Sequence, residues 1–162
     1  MGVGKFDTVE LIVSNAWNLL ALVDVLIVNQ GELTVVAQHQ GSVADCLARI
    51  AVPCVVVTLG VQGCCARCND DITLQSAFAV NSVDTTGAGD TFSGVLVAAL
   101  SQGETLAQAL RHASAAGALA CTRAGAQTSI PTHAELMDFL ASQPVTTAAQ
   151  TQALQRYCGF AC

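Results

Sequence analysis

The chain has 162 residues, of which 52% are hydrophobic and 11% are charged, with a formal net charge of −6. This much apolar surface can offset the entropy of ordering the chain, which argues against a disordered protein and predicts one folded domain. Only six Lys and Arg residues occur and they are not clustered, which argues against nucleic acid as a partner.

Apolar runs in the chain are too short to cross a membrane. The strongest candidate, residues 19–28, is interrupted by Asp24 and falls short of the roughly 18 residues that a membrane span needs. The first residues lack the basic region and apolar run of a secretory signal. We therefore expect a soluble, cytoplasmic protein without a membrane partner.

The eight cysteines are expected to be free thiols, because no secretory signal indicates an oxidising compartment. Cys54 and Cys121 lie in apolar patterns and are expected to be small buried residues. A zinc or redox site stays open as an alternative. Its candidate ligands are the closely spaced Cys64, Cys65 and Cys68, with Cys158 and Cys162 as distant partners. A second closely spaced pair is missing, which disfavours that site.

Two short apolar runs predict neighbouring strands of a parallel sheet, at residues 25–29 and 54–59. Residues 42–50 have helical spacing with Ser42 as N-cap, and complete a strand–helix–strand unit. Ligands in α/β folds bind beyond the carboxyl ends of the strands. That rule indicates three places: Asn29, residues 58–63 and the loop after Val83.

The second half of the chain predicts smaller strands and then helices. Residues 64–78 contain short pieces in which apolar and polar residues alternate, on either side of a turn at residues 69–71. This pattern predicts short antiparallel strands. Three helices are predicted after them, at about residues 88–100, 105–122 and 132–142. Residues 144–162 are a polar tail rich in Thr, Gln and Ala, to which the pattern assigns no structure.

Residues 83–92 place two acids and a Gly-Ala-Gly turn immediately before a predicted helix. Exposed backbone N–H groups and the helix dipole can bind a phosphate oxyanion there. Asp90, in the first turn, can accept the proton of an attacking hydroxyl. On the residues alone a second interpretation stays open, in which Asp90 is a helix N-terminal acid and Gly87 and Gly89 only form a tight loop.

The string Asp-Thr-Thr-Gly-Ala-Gly-Asp-Thr-Phe, residues 84–92, resembles the second signature of the ribokinase-like (PfkB-type) carbohydrate kinases. Three further stretches resemble motifs of that family in the same order. Residues 28–32 resemble its Asn-x-x-Glu motif, residues 57–63 its nucleotide loop, and residues 121–131 the segment that closes the nucleotide site, in the form closest to ribokinases. The resemblance covers about residues 20–140.

The resemblance implies a ribokinase-like (Rossmann-like) α/β fold, a three-layer sandwich with a mostly parallel sheet. It divides the chain into a divergent segment (residues 1–18), a nucleotide-binding kinase domain (residues 19–143) and a C-terminal tail (residues 144–162). The family's preceding half, with its sugar-contacting residues and β-sheet lid, has no counterpart in this sequence.

The activity implied is transfer of the ATP γ-phosphoryl group to a sugar hydroxyl, with D-ribose as the favoured acceptor and ribose 5-phosphate as the product. Asp90 matches the family's catalytic base, and Gly87, Ala88 and Gly89 match its anion hole. An alternative remains open, because the sugar-contacting half is missing. The chain is then a truncated, catalytically inactive nucleotide-binding or interaction module, whose exposed sheet edge supports a homo-oligomer.

Cofactor residues are also implied by the resemblance. ATP and the Mg²⁺ ion at its phosphates would be held by Asn29, Glu32, Thr58, Gly60, Gly63 and Ser114. A monovalent cation, K⁺, would be held by Asp84, Thr86, Ala120, Arg123, Gly125 and Ser129. Without the family pattern, Asn29 would be a strand-end cap and Glu32 a surface carboxylate, while Arg123 also suits a cation at a helix C-terminus.

Overall fold

The computed structural model describes residues 19–160, and within them it contains four strands and six α-helices. The strands are β1 (Val25–Asn29), β2 (Cys54–Thr58), β3 (Gly63–Cys68) and β4 (Asp71–Ser76). The helices are α1 (Gln30–Ala37), α2 (Val43–Leu47), α3 (Ala88–Ser101), α4 (Leu106–Ala120), α5 (His133–Ser142) and α6 (Ala148–Cys158). The predicted N-terminal segment, residues 1–18, and Cys162 lie outside the described residues.

Five of these six helices begin with a capping box, in which the N-cap side chain and the third helical residue exchange hydrogen bonds. The N-caps are Asn29, Ser42, Thr105, Thr132 and Thr147. The predicted caps Ser42 and Thr132 are thereby confirmed. Helix α3 differs, because its N-cap is Gly87, which has no side chain to cap the first turn.

The sheet is mixed rather than mostly parallel across the described residues. Its strand order is β1-β2-β3-β4, with β1 parallel to β2 and the other two pairings antiparallel. The reason is the length of the connections. Parallel pairing requires a crossover, which α1 and α2 provide, whereas β2, β3 and β4 are joined by short turns that allow only antiparallel neighbours.

Helices cover both faces of the sheet, which confirms the three-layer α/β sandwich. On one face, α1, α2 and α6 bury Leu33, Leu47 and Leu154 against Val55 and Val57 of β2. The other face packs against α3 and α4, through a cluster that contains Val56, Ala66, Phe92, Leu96 and Leu110. None of the helices in this part of the chain combines the length and apolar character needed to cross a bilayer.

Helix α6 occupies most of the segment that the sequence left as a polar tail. Its residues Leu154 and Cys158 are fully or almost fully buried in the core. The hydroxyl of Tyr157 donates a hydrogen bond to Oε1 of Gln30 at 2.9 Å, which ties α6 to the start of α1. The composition concealed this helix, because it buries only two side chains and is otherwise polar.

Two cysteines are not free thiols. Cys54 and Cys68 are joined by a disulfide across β2 and β3, where the strand register places them directly opposite each other. The expected free thiols are found at Cys46, Cys64, Cys65, Cys121 and Cys158. Within residues 19–160, no three or more His, Cys, Asp or Glu side chains are grouped closely enough to hold a metal ion, so nothing there supports a zinc site.

Candidate active site

The loop that carries the two signature acids is fastened to the segment after α4. One carboxylate oxygen of Asp84 accepts hydrogen bonds from the backbone N–H of Thr86 at 2.9 Å and from its hydroxyl at 2.7 Å. The other oxygen accepts the N–H of Gly125 at 3.0 Å. These donors, led by the Gly125 N–H, lower the pKa of Asp84 to about 2. Three predicted cation-site residues therefore form one hydrogen-bonded cluster.

The other three predicted cation-site residues lie at the end of α4 and on the segment that follows it. The Arg123 backbone N–H donates to the Ala120 carbonyl at 3.4 Å, and the buried Ser129 hydroxyl donates to the Ala126 carbonyl at 2.9 Å. The Arg123 side chain forms an ion pair with Glu135 of α5 at 2.6 Å. This arginine is the main reason that the pKa of Glu135 is lowered to about 2. Its guanidinium is therefore engaged by α5.

Gly87 provides a backbone conformation that a side chain would oppose. Its φ is 76°, and a Cβ added there would lie 3.1 Å from Ala126. The signature loop thus packs closely on the segment after α4. Beyond it, the backbone N–H groups of Gly89 and Asp90 have no acceptor among the described residues. This uncapped turn can hold an anion.

Asp90 stands in that first turn with its side chain exposed to solvent. Its carboxylate makes no hydrogen bond or ion pair within residues 19–160. In the five capping boxes, by contrast, the N-cap residue donates hydrogen bonds to the acidic or amide side chain of the third helical residue, as Thr132 does to Glu135. A carboxylate that is not engaged by its own helix can accept a proton from a bound hydroxyl.

Next to this turn lies a cleft of about 530 Å³. It is lined by six residues that the sequence predicted for the site: Thr58, Gly60, Gly63, Ala88, Gly89 and Ser114. Gly63 has a φ of 116°, and a Cβ there would lie 2.1 Å from the Gln75 carbonyl oxygen, so the cleft floor requires glycine. The Ser114 hydroxyl lies 3.5 Å from Sγ of Cys64, a buried thiol whose pKa is raised to about 12 by that burial.

One wall of the cleft was not predicted from the sequence. Residues 77–82, between β4 and the signature loop, contribute Phe78 and Val80, and Cys121 adds a half-buried thiol from the end of α4. The alternating apolar residues Phe78 and Val80, shortly before the signature, are the sequence feature that could have predicted this wall.

Asn29 and Glu32 are not among the residues that line the cleft. The Asn29 N–H donates to Glu32 Oε2 at 2.8 Å, and the Glu32 N–H donates to Asn29 Oδ1 at 2.9 Å. The pair is therefore the helix cap that the residues alone suggested. Both side chains are exposed, and the second carboxylate oxygen of Glu32 makes no hydrogen bond or ion pair within residues 19–160.

The chain is similar to known proteins in both sequence and structure. The sequence pattern of the pfkB family carbohydrate kinases matches residues 8–133. The chain belongs to the PfkB family of carbohydrate kinases. This match and the structural similarity below confirm the family and the ribokinase-like fold that the signature predicted.

Among PfkB relatives, the chain is 36% identical to the ribokinase of Haemophilus influenzae over 129 residues, which cover 75% of this chain and 42% of the relative. It is 34% identical to fructokinase-1 of Zea mays over 131 residues, covering 76% and 41%. A ribokinase II structure from E. coli in complex with ATP and Mg²⁺ superposes with a TM-score of 0.75 at 28% identity, covering 83% and 44%. The chain thus spans about two fifths of the length of these proteins.

Proposed function

We propose that this chain binds ATP and supplies the catalytic base and the anion hole for transfer of the γ-phosphoryl group to a sugar hydroxyl. The observation that carries the proposal is the uncapped first turn of α3, which has an unengaged Asp90 and borders the cleft. Each of the other described helices uses its first turn for a capping box.

In the proposed reaction, Asp90 accepts the proton of the sugar hydroxyl while the hydroxyl oxygen attacks the γ-phosphorus. The bond between this phosphorus and the oxygen that bridges it to the β-phosphate breaks, and ADP leaves. The N–H groups of residues 87–89 donate to the phosphoryl oxygens, where negative charge accumulates in the transition state. The closeness of Gly87 to Ala126 keeps this turn in place. The Ala88 N–H, which donates to the Thr85 carbonyl at 3.2 Å in this structure, changes its partner when the phosphate arrives.

The nucleotide is proposed to lie in the cleft, with Thr58, Gly60, Gly63 and Ser114 along it. Mg²⁺ would be organised by Asn29 and Glu32, whose exposed amide and free carboxylate oxygen are the hard ligands that this ion accepts, in part through water. Bound Mg²⁺ neutralises charge on the phosphates.

A K⁺ ion is proposed beside the anion hole, held by oxygen atoms of the fastened loops. The Asp84 carboxylate and Thr86 hydroxyl fit such an ion, because both are hard oxygen donors and the low pKa of Asp84 keeps it charged. Backbone carbonyls and the Ser129 hydroxyl would complete the set: Ala120, Arg123, Gly125 and Ser129. When bound, the ion supplies positive charge that shapes the anion hole.

D-ribose is the acceptor that we propose first, because residues 121–131 most resemble the ribokinase form. Fructose is the alternative acceptor, since fructokinases are also among the relatives. A cytoplasmic location, where ATP and free sugars meet, is part of the same proposal.

A second candidate function is nucleotide binding without catalysis by this chain alone. Two observations favour it. The chain spans only 42% of the length of the ribokinase relative, and the outer edge of β1 pairs with no strand among the described residues. Such an edge can pair with a second copy of the chain, which makes a homo-oligomer the accompanying expectation.

Formation of ADP with ATP, Mg²⁺ and K⁺, with and without ribose or fructose, tests these proposals. Under the first proposal, Asp90→Asn abolishes sugar-dependent turnover and retains ATP binding, while the control Asp138→Asn, an exposed carboxylate on α5, changes neither. Turnover that survives in Asp90→Asn would rule out this residue as the base. Binding of ATP without sugar-dependent turnover supports the second candidate, and folded protein that binds no ATP contradicts both.

A further inference from the structure

The cleft wall formed by residues 77–82 has few backbone contacts of its own. The Ala77 N–H donates to the Gln62 carbonyl at 3.3 Å, and the Val83 N–H donates to the Cys121 carbonyl at 2.7 Å. Between these two points, no hydrogen bond among the described residues joins the wall to the rest of the protein. Its position must therefore depend on side-chain packing.

Phe78 provides that packing. Its ring packs against the ring of Phe139 on α5, with centroids 5.5 Å apart and planes at 69°, which is the favourable edge-to-face arrangement. The guanidinium carbon of Arg111, on α4, lies 5.2 Å from the centroid of the Phe78 ring. Phe78 is thus held between two helices while it also lines the cleft.

Arg111 makes no ion pair within residues 19–160. Besides the ring, its contact is a long hydrogen bond of 3.5 Å to the Gln143 carbonyl at the end of α5. A guanidinium that no carboxylate neutralises interacts more strongly with an aromatic face. The Phe78 ring is therefore its principal partner in this part of the chain.

The chemistry of the wall indicates which end of a nucleotide it faces. Residues 78–80 are Phe, Ala and Val, an apolar surface that suits a flat heterocycle, and the wall's polar lining residue is Ser82 at its other end. Phosphate oxygens have their donors elsewhere, at the first turn of α3.

We propose that Arg111 is a positioning residue for nucleotide recognition: it fixes the Phe78 ring, and so holds the wall of residues 77–82 against the base. The inference rests on the proposed nucleotide site. Arg111 does not contact the phosphates or the reacting atoms in this proposal. Its loss should therefore weaken binding of the base and leave binding of the triphosphate group unchanged.

Calorimetric titration of the full chain with ATP, adenosine and inorganic tripolyphosphate, in the presence of Mg²⁺, tests the proposal. Arg111→Met keeps the apolar stem and removes the cation, and we expect its Kd for ATP and adenosine to rise about two- to fivefold, the range for a partly exposed cation–π contact. The Kd for tripolyphosphate should not change. Arg111→Lys should restore most of the affinity, and Arg156→Met on α6 serves as the exposed control.

A second variant controls for loss of binding that is caused by general destabilisation of the protein. Phe139→Leu removes the ring that supports Phe78 from the other side and should give the same selective loss, with thermal unfolding monitored for both variants. An equal weakening for tripolyphosphate, or unchanged affinity for ATP and adenosine, overturns the inference. If the wild-type chain binds no ATP, the proposed nucleotide site itself fails, which is a distinguishable result.

Discussion

The carboxylate of Asp84 accepts a hydrogen bond from the backbone N–H of Gly125, which lies 41 residues later in the chain, at 3.0 Å. With the Val83 N–H, which donates to the Cys121 carbonyl at 2.7 Å, it fastens the signature loop to the segment after α4. The geometry of the anion hole therefore depends on a carboxylate that does not itself point to the phosphate in our proposal.

Acid should loosen this connection. The pKa of Asp84 is lowered from 3.8 to about 2 in the folded protein, so its contribution to stability is complete above pH 3.8 and is lost as the pH falls towards 2. We expect Asp84→Asn to show a smaller loss of unfolding free energy across this range than the wild type, measured by urea unfolding at a series of pH values. Parallel pH profiles for the two proteins would contradict the role of the carboxylate.

Glu135 contributes to the same acid range, since Arg123 and Thr132 lower its pKa from 4.5 to about 2. Glu135→Gln is therefore the companion variant in that experiment. If Glu135→Gln alters the pH profile of the unfolding free energy and Asp84→Asn does not, the acid sensitivity arises from the ion pair with Arg123 and not from the signature loop.

Two neighbouring glycines should respond in opposite ways to alanine. Gly87→Ala places a side chain at a φ of 76° and 3.1 Å from Ala126, so it should cost about 1–2 kcal/mol of unfolding free energy. Gly89→Ala meets open space inside α3 and should stabilise the helix by up to about 1 kcal/mol. Thermal and denaturant unfolding measure both values.

Ligand binding by the same pair separates stability from function. Because Gly89 lines the cleft at the proposed anion hole, Gly89→Ala should weaken tripolyphosphate binding although the protein is more stable. Unchanged binding in this variant would show that the phosphates lie elsewhere.

Helix α6 should be part of the folded domain and not an appendage. Leu154, only 3% exposed, packs with the core on one face of the sheet, and Leu154→Ala should cost about 2–5 kcal/mol of unfolding free energy. Gln152→Ala, at an exposed position of the same helix, is the matched control and should cost little. A small cost at Leu154 would mean that α6 detaches from the sheet in solution.

Cys121 should report on occupancy of the cleft. It is half-buried and lines the cleft, and burial together with the nearby Asp84 carboxylate raises the pKa of its thiol. Alkylation of the native protein at mildly alkaline pH, mapped by mass spectrometry, should modify it before the buried thiols: Cys46, Cys64, Cys65 and Cys158. ATP should slow this modification, and equal rates with and without ATP would argue against a nucleotide in the cleft.

Local patterns predicted the elements that local forces determine. The apolar, β-branched runs gave β1 and β2, and the Ser and Thr caps gave the starts of α2 and α5. The string at residues 84–92 predicted the turn at residues 87–89 because its glycines come immediately before a helical pattern. The two interpretations of Asn29 were harder to separate, since a helix cap and a metal ligand require the same oxygen-bearing side chain.

What the sequence did not predict depends on contacts between distant residues. Cys54 and Cys68 face each other only because of the register of β2 and β3. Helix α6 is stabilised by a core that residues far earlier in the chain build. The wall at Phe78 belongs to no regular element, and its position follows from side chains on α4 and α5.

The four strands lie in the sheet in the same order as they occur in the chain. Because β2, β3 and β4 pair with their chain neighbours, little loop-closure entropy opposes their assembly, and this meander can form early during folding. The hydrogen bond between Asp84 and Gly125 closes a much longer loop, across 41 residues. The floor of the cleft should therefore assemble before its rim, and binding of a fluorescent nucleotide during refolding should follow the appearance of β-structure.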